Sequence, residues 1–371
     1  MENKHLEDLK DILDELEVNT EQGMDYFDRK YKKLVKNITE EEIHSIQPRN
    51  KMQVVALNTI FVGILFTKKS YETLVEYVEE NLIEIISGYT RKYDSFVAKI
   101  IKSYYASRKI CKLDSSILFS LMVPNKEKGN EETISVLTNC ILDMLIQNKI
   151  YVRMENKITT TGEQAKYNYY NGVIEMVEMN YDKALEFFHH ASILSKNKNL
   201  SETIEKNIIL CMLLKSEFNI PYAFSKRLRV YFEIIKTVKD ADMKGFEFVL
   251  EKNKEDLMKD NLYFIAQRLS QNVVQEGIRK IAFVYSRISY KDIANSLKME
   301  VENVDFILKK TINQGLIRGR VENETFFSLP YSDKMHSLDG LVKDGLYLTK
   351  YIRDQMKYPK IEPLCYEKIS K

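Results

Sequence analysis

The chain has little of what interrupts regular helices: its 371 residues include six prolines and twelve glycines, and tryptophan is absent. So few turn-forming residues favour long helices over a sandwich or barrel of short strands. Long hydrophobic runs are also missing, since the longest, such as residues 59–66, fall well short of the roughly 20 residues that a membrane helix needs. The charged N-terminal sequence MENKHLEDLK is unlike a secretory signal. We expect a protein that does not enter a membrane.

The sequence also lacks a large net charge and closely spaced cysteine pairs. The 56 basic and 54 acidic residues give a net charge of +2, so the chain lacks the bulk field that drives nucleic-acid binding. The four cysteines are far apart and form no CxxC pair. That pattern offers no zinc framework and suits free thiols in a reducing compartment. We therefore expect a soluble protein of the cytoplasm and nucleus.

Catalytic and cofactor-binding motifs are absent from the sequence. None of the five histidines is spaced as His-x-His or HExxH. The adjacent His189 and His190 would lie about 100° apart on a helix, so they cannot both face one ion. No GxxxxGK[ST], GxGxxG or GxSxG motif occurs. We predict a non-catalytic protein without metal or cofactor.

The N-terminal half has the periodicity of helices. Leu6, Leu9, Leu13 and Leu16 form one stripe, which indicates either a helix that docks on a partner or, more simply, an ordinary peripheral helix. Helical patterns continue over residues 53–112 and 133–148. Between them we predict a solvated loop, because Pro124 is followed by the polar run 125–132.

Residues 167–191 have the spacing of a tetratricopeptide-type helix pair. Gly172 and Ala184 would be small where the two helices cross, while Tyr181 and Phe188 fill the groove between them. Further helices over 201–216 and 222–259 would continue the stack, with turns at 240–242 and 253–254. The positions that carry this pattern are Tyr169, Gly172, Met176, Tyr181, Ala184, Phe188 and Ala191.

The C-terminal third begins with a helix, a short strand and a second helix. Val274, Ile278, Ile281 and Tyr285 recur on one face of the first helix. After a break at 286–287 and an extended piece at 288–289, Ser289 and Asp292 form a capping box that starts the second helix.

A third helix and two strands complete this segment. We predict a helix over 302–314 with Gly315 as its left-handed C-cap. Strands over 316–321 and 324–329 would follow, joined by a turn at 322–323. Helix, strand, helix, helix and a two-stranded wing is the order of a winged-helix module.

A winged helix raises the possibility of DNA binding, which the charges disfavour. The first turn of the third helix would face the major groove, yet it carries Glu300, Glu302 and Asp305 and no cation before Lys309. Arg318 and Arg320 in the wing are the only favourable basic feature.

A last helix is predicted after Pro330, capped by Ser332 or Asp333 and running to about residue 357. Its apolar and small residues alternate three and four apart, which is the spacing of a heptad seam. This seam suggests a helix that packs outside its own domain. Its positions are Leu338, Leu341, Gly345, Leu348 and Ile352.

The run RLSQNVVQEGIRKIAFVYSRISYKDIANSL closely resembles the corresponding segment of the PCI family, the scaffold subunits of the proteasome lid, the signalosome and initiation factors. The resemblance is densest over 272–297, extends weakly upstream to about 167, and favours the lid through YSRIS and KDIA. It implies a mostly α-helical fold, a right-handed TPR-like solenoid followed by a winged-helix PCI module and a long C-terminal helix. The expected parts are an N-terminal arm over 1–160, repeats over 161–262, the winged helix over 263–330 and the helix with its tail over 331–371.

The resemblance also implies a function. Family members join their winged-helix sheets edge to edge and gather their C-terminal helices in a bundle. We therefore expect a scaffold subunit of the proteasome lid that supports ubiquitin-dependent degradation. Its partners would be other PCI subunits, a small acidic lid protein and the deubiquitinating metalloprotease pair of the lid. A scaffold of the signalosome or of an initiation factor is the alternative, and a nucleic-acid-binding winged helix a less favoured one. Known members are generally longer, so the N-terminal arm would be shortened.

Two sets of site residues follow. We predict a module core of Ile278, Ile281, Tyr285, Ile293 and Leu297, with Arg287 and Asp292 paired across the helix–strand junction. The predicted partner interface consists of Leu316, Ile317, Phe326, Phe327, Leu338, Leu341, Leu348 and Ile352.

Overall fold

The structure is a computed structural model that describes residues 2–18, 20–83, 86, 91–218, 220, 226–297, 300–329 and 338–355. It divides into two compact units, one of residues 1–238 and 245–272 and the other of residues 239–244 and 273–371. The four-part division expected from the sequence stays a proposal. Within the described ranges, no helix combines the length and the hydropathy needed to cross a bilayer.

The first unit is helical. Its helices are α1 (Glu2–Val18), α2 (Thr20–Asn37), α3 (Glu40–His44), α4 (Lys51–Thr67), α5 (Tyr71–Asn81), α6 (Asp94–Ile110), α7 (Ile117–Glu127), α8 (Glu131–Gln147), α9 (Thr161–Val177), α10 (Tyr181–Leu194), α11 (Lys198–Leu214), α12 (Arg229–Asp240), α13 (Met243–Lys252) and α14 (Lys254–Lys259), and α15 (Tyr263–Val284) begins in it.

The N-terminal leucine stripe is buried within the chain. Leu9, Leu13 and Leu16 pack with residues of α2 and α4 in one hydrophobic cluster, while the side chain of Leu6 lies outside the described residues. The helices approach closely, since a Cβ on Gly23 would lie 2.8 Å from the Leu16 backbone. The stripe therefore serves this chain's own core, as an ordinary peripheral helix would.

The prediction of a loop over residues 125–132 is wrong, because helices cover most of that range. Helix α7 continues through Pro124 to Glu127, although a proline inside a helix removes one backbone donor and disfavours the turn before it. Asn125 is fully buried and donates to the Leu121 carbonyl at 2.8 Å. The next helix, α8, is capped from a distance, since both Asp94 carboxylate oxygens accept backbone N–H groups of α8 at 2.8 Å. The loop therefore shrinks to residues 128–130.

The predicted tetratricopeptide-type pair is present as α9 and α10. Phe188, Ala184, Ala191 and Met176 are buried, and Tyr181 is half-buried. A Cβ on Gly172 would lie 2.7 Å from the Phe188 ring, so only glycine lets this ring pack directly on the α9 backbone. Helices α11 to α14 follow, and the turns fall at the predicted places, before α13 and at the start of α14.

The second unit contains the winged helix. It comprises the C-terminal part of α15, then β1 (Arg287–Ser289), α16 (Tyr290–Leu297), α17 (Val301–Asn313), β2 (Gly319–Glu322), β3 (Thr325–Ser328) and α18 (Leu338–Gln355). The antiparallel sheet has the order β1-β3-β2. The core beneath it consists of Ile278, Ile288, Tyr290, Ile293, Ala294, Val304, Leu308, Ile317 and Phe326. The mostly α-helical fold with a winged-helix module is confirmed.

Local chemistry sets the ends of these elements. Gly315 adopts φ +73, and the N–H of Leu316 donates to the Thr311 carbonyl at 3.1 Å, which together make a Schellman end for α17. The two wing strands are shorter than predicted. Their turn lies at Asn323 and Glu324, both with positive φ, because a two-residue hairpin turn that matches strand twist needs that conformation.

Candidate assembly surfaces

Histidine, cysteine and carboxylate side chains are scattered over the described residues. Among them, no group of three or more His, Cys, Asp or Glu side chains could hold a metal ion, and His189 and His190 are exposed. The first unit has a cleft of about 430 Å³, but its polar groups bind one another. Lys206 lies 3.0 Å from Asp260, which also accepts the Tyr231 hydroxyl at 2.7 Å. Burial and this hydrogen bond raise the pKa of Tyr231, so its hydroxyl stays protonated.

Four of the five predicted core residues lie in or against the core of the winged helix. Ile278 and Ile293 are buried, and Ile281 and Leu297 are half-buried against them. Tyr285 is 49% exposed, so its assignment to the core is wrong. Helix α15 ends at Val284. Tyr285 follows the last helical residue, so the helical period does not determine which way its side chain points.

The predicted pairing of Arg287 with Asp292 is also wrong. Asp292 accepts the Ser289 hydroxyl at 2.7 Å, and its own N–H donates to that hydroxyl oxygen at 3.3 Å. Arg287 instead lies over Phe327, with its guanidinium carbon 5.3 Å from the ring centroid. The reason is the register, which places Arg287 directly opposite Phe327 on the outer face of the sheet.

Two residues predicted to contact partners are buried in the module itself. Ile317 and Phe326 belong to its core, because alternate residues of a strand face opposite sides and Phe326 faces inward. Phe327 and Leu316 are half-buried. A Cβ on Gly319 would overlap the Phe326 ring, a close approach that sequence analysis did not anticipate.

Among the described residues, strand β2 pairs only with β3, so no strand lies along its other backbone edge. Leu329 donates to the Arg318 carbonyl at 3.0 Å, and Arg320 and Glu322 stand opposite Phe327 and Thr325. Because hydrogen bonding alternates along an antiparallel strand, the backbone groups of Gly319 and Val321 point away from β3. The side chain of Val321 packs on the core, so this edge offers backbone groups rather than bulky side chains.

Helix α18 exposes its apolar residues. Leu348 is 60% exposed, and Val342, Leu346 and Ile352 are exposed too. At about 100° per residue these four fall within an arc of about 160° that includes Gly345, whereas the exposed Tyr347 lies on the opposite side. The side chains of Leu338 and Leu341 lie outside the described residues.

The front of α17 carries fixed negative charge. Asp305 lies 2.7 Å from Lys309 and accepts the Tyr290 hydroxyl at 2.6 Å. These two hydrogen bonds hold the pKa of Asp305 below its ordinary value, so the carboxylate is ionised where a DNA phosphate would approach. The neighbouring Phe306 is exposed, and nothing in its spacing predicted it as a surface feature.

Comparison with known proteins agrees with this architecture. The PCI domain model matches residues 250–325. The chain is 48% identical over 371 residues to the 26S proteasome regulatory subunit RPN3 of Encephalitozoon cuniculi, covering all of this chain and 98% of that protein. It is 26% identical over 241 residues to the 26S proteasome non-ATPase regulatory subunit 3 of Dictyostelium discoideum, covering 60% of this chain and 47% of that protein. The 26S proteasome regulatory subunit RPN3 of Saccharomyces cerevisiae is 27% identical over 219 residues, which are 54% of this chain and 42% of that protein.

Proposed function

The chain belongs to the RPN3 family of 26S proteasome regulatory subunits, non-catalytic proteins with a PCI domain, and on that premise we propose how it acts as a scaffold in the proteasome lid. Its part in ubiquitin-dependent degradation is to hold neighbouring subunits in place. The observation that carries this proposal is that the described part of the second unit has both an unpaired strand edge, on β2, and a helix with exposed apolar residues, α18.

The strand edge of β2 is the first contact. An unpaired edge accepts a further strand, because each outward N–H and C=O gains a hydrogen bond that water otherwise supplies. Gly319 and Val321 provide these groups, and β2 is short, as edges that avoid unspecific pairing usually are. We place the sheet of a neighbouring PCI subunit at this edge.

The apolar arc of α18 is the second contact. Most of the stability of a helix in a protein comes from packing of its apolar face, so exposed Leu346, Leu348 and Ile352 would stabilise α18 once they pack against other helices. A heptad seam suits a bundle in which several subunits contribute one helix each. Leu338 and Leu341 continue the same seam in our proposal.

The partners that fit this role are other PCI subunits of the lid, with the small acidic lid protein and the deubiquitinating metalloprotease pair in the same assembly. We expect the chain in the cytoplasm and nucleus. A scaffold of the signalosome or of an initiation factor is the alternative, and the proteasome names of the relatives favour the lid. The ionised Asp305 on α17 disfavours a nucleic-acid-binding winged helix.

Two neighbouring substitutions on α18 test the proposal. Leu348→Glu places a charge inside the apolar arc, and Tyr347→Glu places the same charge about 100° away, outside it. Both positions are exposed, at 60% and 74%, and glutamate favours helix, so neither change should unfold the chain. We expect the Leu348→Glu chain to leave the megadalton fractions of a density gradient while the Tyr347→Glu chain stays with them.

Co-purification of the tagged wild-type chain identifies the assembly. Mass spectrometry should find proteasome lid subunits in the same fractions, whereas signalosome or initiation-factor subunits in their place would contradict the lid assignment. Unchanged sedimentation of the Leu348→Glu chain would refute the proposal that the apolar arc of α18 contacts other subunits.

A further inference from the structure

The outer face of the three-stranded sheet carries a row of two arginines and one aromatic ring. Arg287 on β1, Phe327 on β3 and Arg320 on β2 stand directly opposite one another. The guanidinium carbons lie 5.3 Å and 5.5 Å from the centroid of the Phe327 ring. Both are within the range of a cation–π contact, so one ring contacts a guanidinium from each neighbouring strand.

This row lies outside the core cluster of the module. The row beside it, Ile288, Phe326 and Val321, faces the other way and packs on the core. Residues on the outer face of an antiparallel sheet are ordinarily polar and solvated. The half-buried Phe327 departs from that expectation, and the two arginines beside it make this face partly apolar and partly cationic.

The charges of this face are unbalanced. Arg320 is 63% exposed, and its carboxylate neighbour Glu322 is 3.5 Å away and itself 54% exposed, so the pair is weak. Arg287 is exposed, and no ion pair joins it to an acidic residue among the residues that the structure describes. Among the described residues in strand register on this face, Arg287 and Arg320 thus stand against one carboxylate, Glu322.

Contact with the Phe327 ring favours binding of carboxylates by the two guanidiniums. A guanidinium that stacks on an aromatic ring loses part of its hydration and keeps its planar donors free at the edge, where they form bidentate bonds with carboxylates. The exposed part of the Phe327 ring and the exposed Leu329 beside it offer an apolar contact in the same place. Aromatic side chains and arginine are both enriched at protein–protein interfaces.

We propose that the outer face of this sheet binds an acidic segment of a partner protein, with an apolar anchor of that segment on Phe327 and its carboxylates on Arg287 and Arg320. This site is distinct from the strand edge, because strand addition uses backbone groups in the plane of the sheet and the row uses side chains above it. Both can be occupied at once. Phosphate would also satisfy the arginines, but a single ring stacks a single base and the whole chain carries a net charge of only +2, so a protein segment fits better.

Fluorescence anisotropy with the full-length chain tests the site. The probe is a short labelled peptide of aspartate and glutamate with one central phenylalanine. Arg287→Gln should weaken its binding about tenfold, as expected for the loss of one charge-assisted contact. Lys291→Gln removes the same charge from an exposed position of α16 that is not in the row, and should change the affinity less than about twofold.

Two further measurements fix the interpretation. Arg320→Gln should weaken binding as Arg287→Gln does, and a probe with serine in place of phenylalanine should bind more weakly to the wild-type chain. Equal losses for Lys291→Gln and Arg287→Gln would mean that bulk charge attracts the peptide and would overturn the proposal. Tighter binding of a short single-stranded DNA that also depends on Arg287 would make the occupant a nucleic acid and overturn it as well.

Discussion

Phe326 and Phe327 are neighbours of identical chemistry that the sheet places on opposite faces. Phe326 is 1% exposed and packs between Ile288, Val321 and the backbone of Gly319. Phe326→Ala would leave a cavity that the surrounding residues fill only in part, which typically costs about 3–5 kcal/mol. The strands β1, β2 and β3 share that core, so the whole module should lose this stability.

Phe327→Ala should cost much less. Its ring is only half-buried, and the two guanidinium contacts it makes are solvent-exposed, where each contributes about 0.5–1 kcal/mol. We expect a loss of no more than about 2 kcal/mol, since no closed cavity forms. The predicted gap between the two variants is therefore about 2 kcal/mol, or about thirtyfold in the opening equilibrium.

Hydrogen exchange is the appropriate measurement, because a chain with two compact units does not unfold in one step. Peptides that span β1 and β3 report the free energy of opening of the module alone. Peptides from α9 and α10 serve as an internal control and should not change. Equal losses for the two variants, or a larger loss for Phe327→Ala, would mean that β3 is shifted by one residue, since such a slip exchanges the two faces.

Two more substitutions, each with a control variant, test the strand edge and the helix pair. Val321→Pro removes an outward N–H, which an edge strand tolerates, so the module should keep most of its exchange protection while the chain no longer enters the megadalton assembly. Arg320→Pro removes an inward donor and should instead unfold the wing; full assembly of the Val321→Pro chain would contradict the edge proposal. Gly172→Ala places a Cβ 2.7 Å from the Phe188 ring and should destabilise α9 and α10 by about 1–3 kcal/mol, measured by their exchange rates. Gly162→Ala has open space and should be neutral or stabilising, so a loss there equal to that of Gly172→Ala would remove the steric explanation.

The features that sequence predicted best are those that depend on a few adjacent residues. Gly315 and the Ser289–Asp292 pair define helix ends through local backbone chemistry, and the structure has both. The predicted crossing at Gly172 is likewise a contact between consecutive helices. In each case the deciding interaction spans few residues, so composition and spacing are enough to find it.

The features that sequence analysis missed depend on contacts whose second residue cannot be identified from spacing and composition. Tyr285 fits the helical period, but the helix ends one residue earlier. Pro124 suggested a break, but the buried Asn125 beside it holds the helix together with bonds that spacing cannot predict. Phe326 and Phe327 are interchangeable in sequence, and only the pairing of β3 with both neighbours decides which of them is buried.

On our proposals the three-stranded sheet offers two kinds of recognition, a strand edge and an outer face, and both suit assembly rather than nucleic acid. Basic residues of a DNA-binding wing must be free to reach phosphates along an extended groove, and the helix beside it must tolerate negative charge. Here the wing carries only Arg318 and Arg320 as basic residues, and ionised Asp305 lies at the front of α17, where a phosphate backbone would approach. What is left exposed is a backbone edge that suits a strand and a small cationic face that suits a few carboxylates. Both are features that another protein chain can match, and neither extends far enough to follow a duplex.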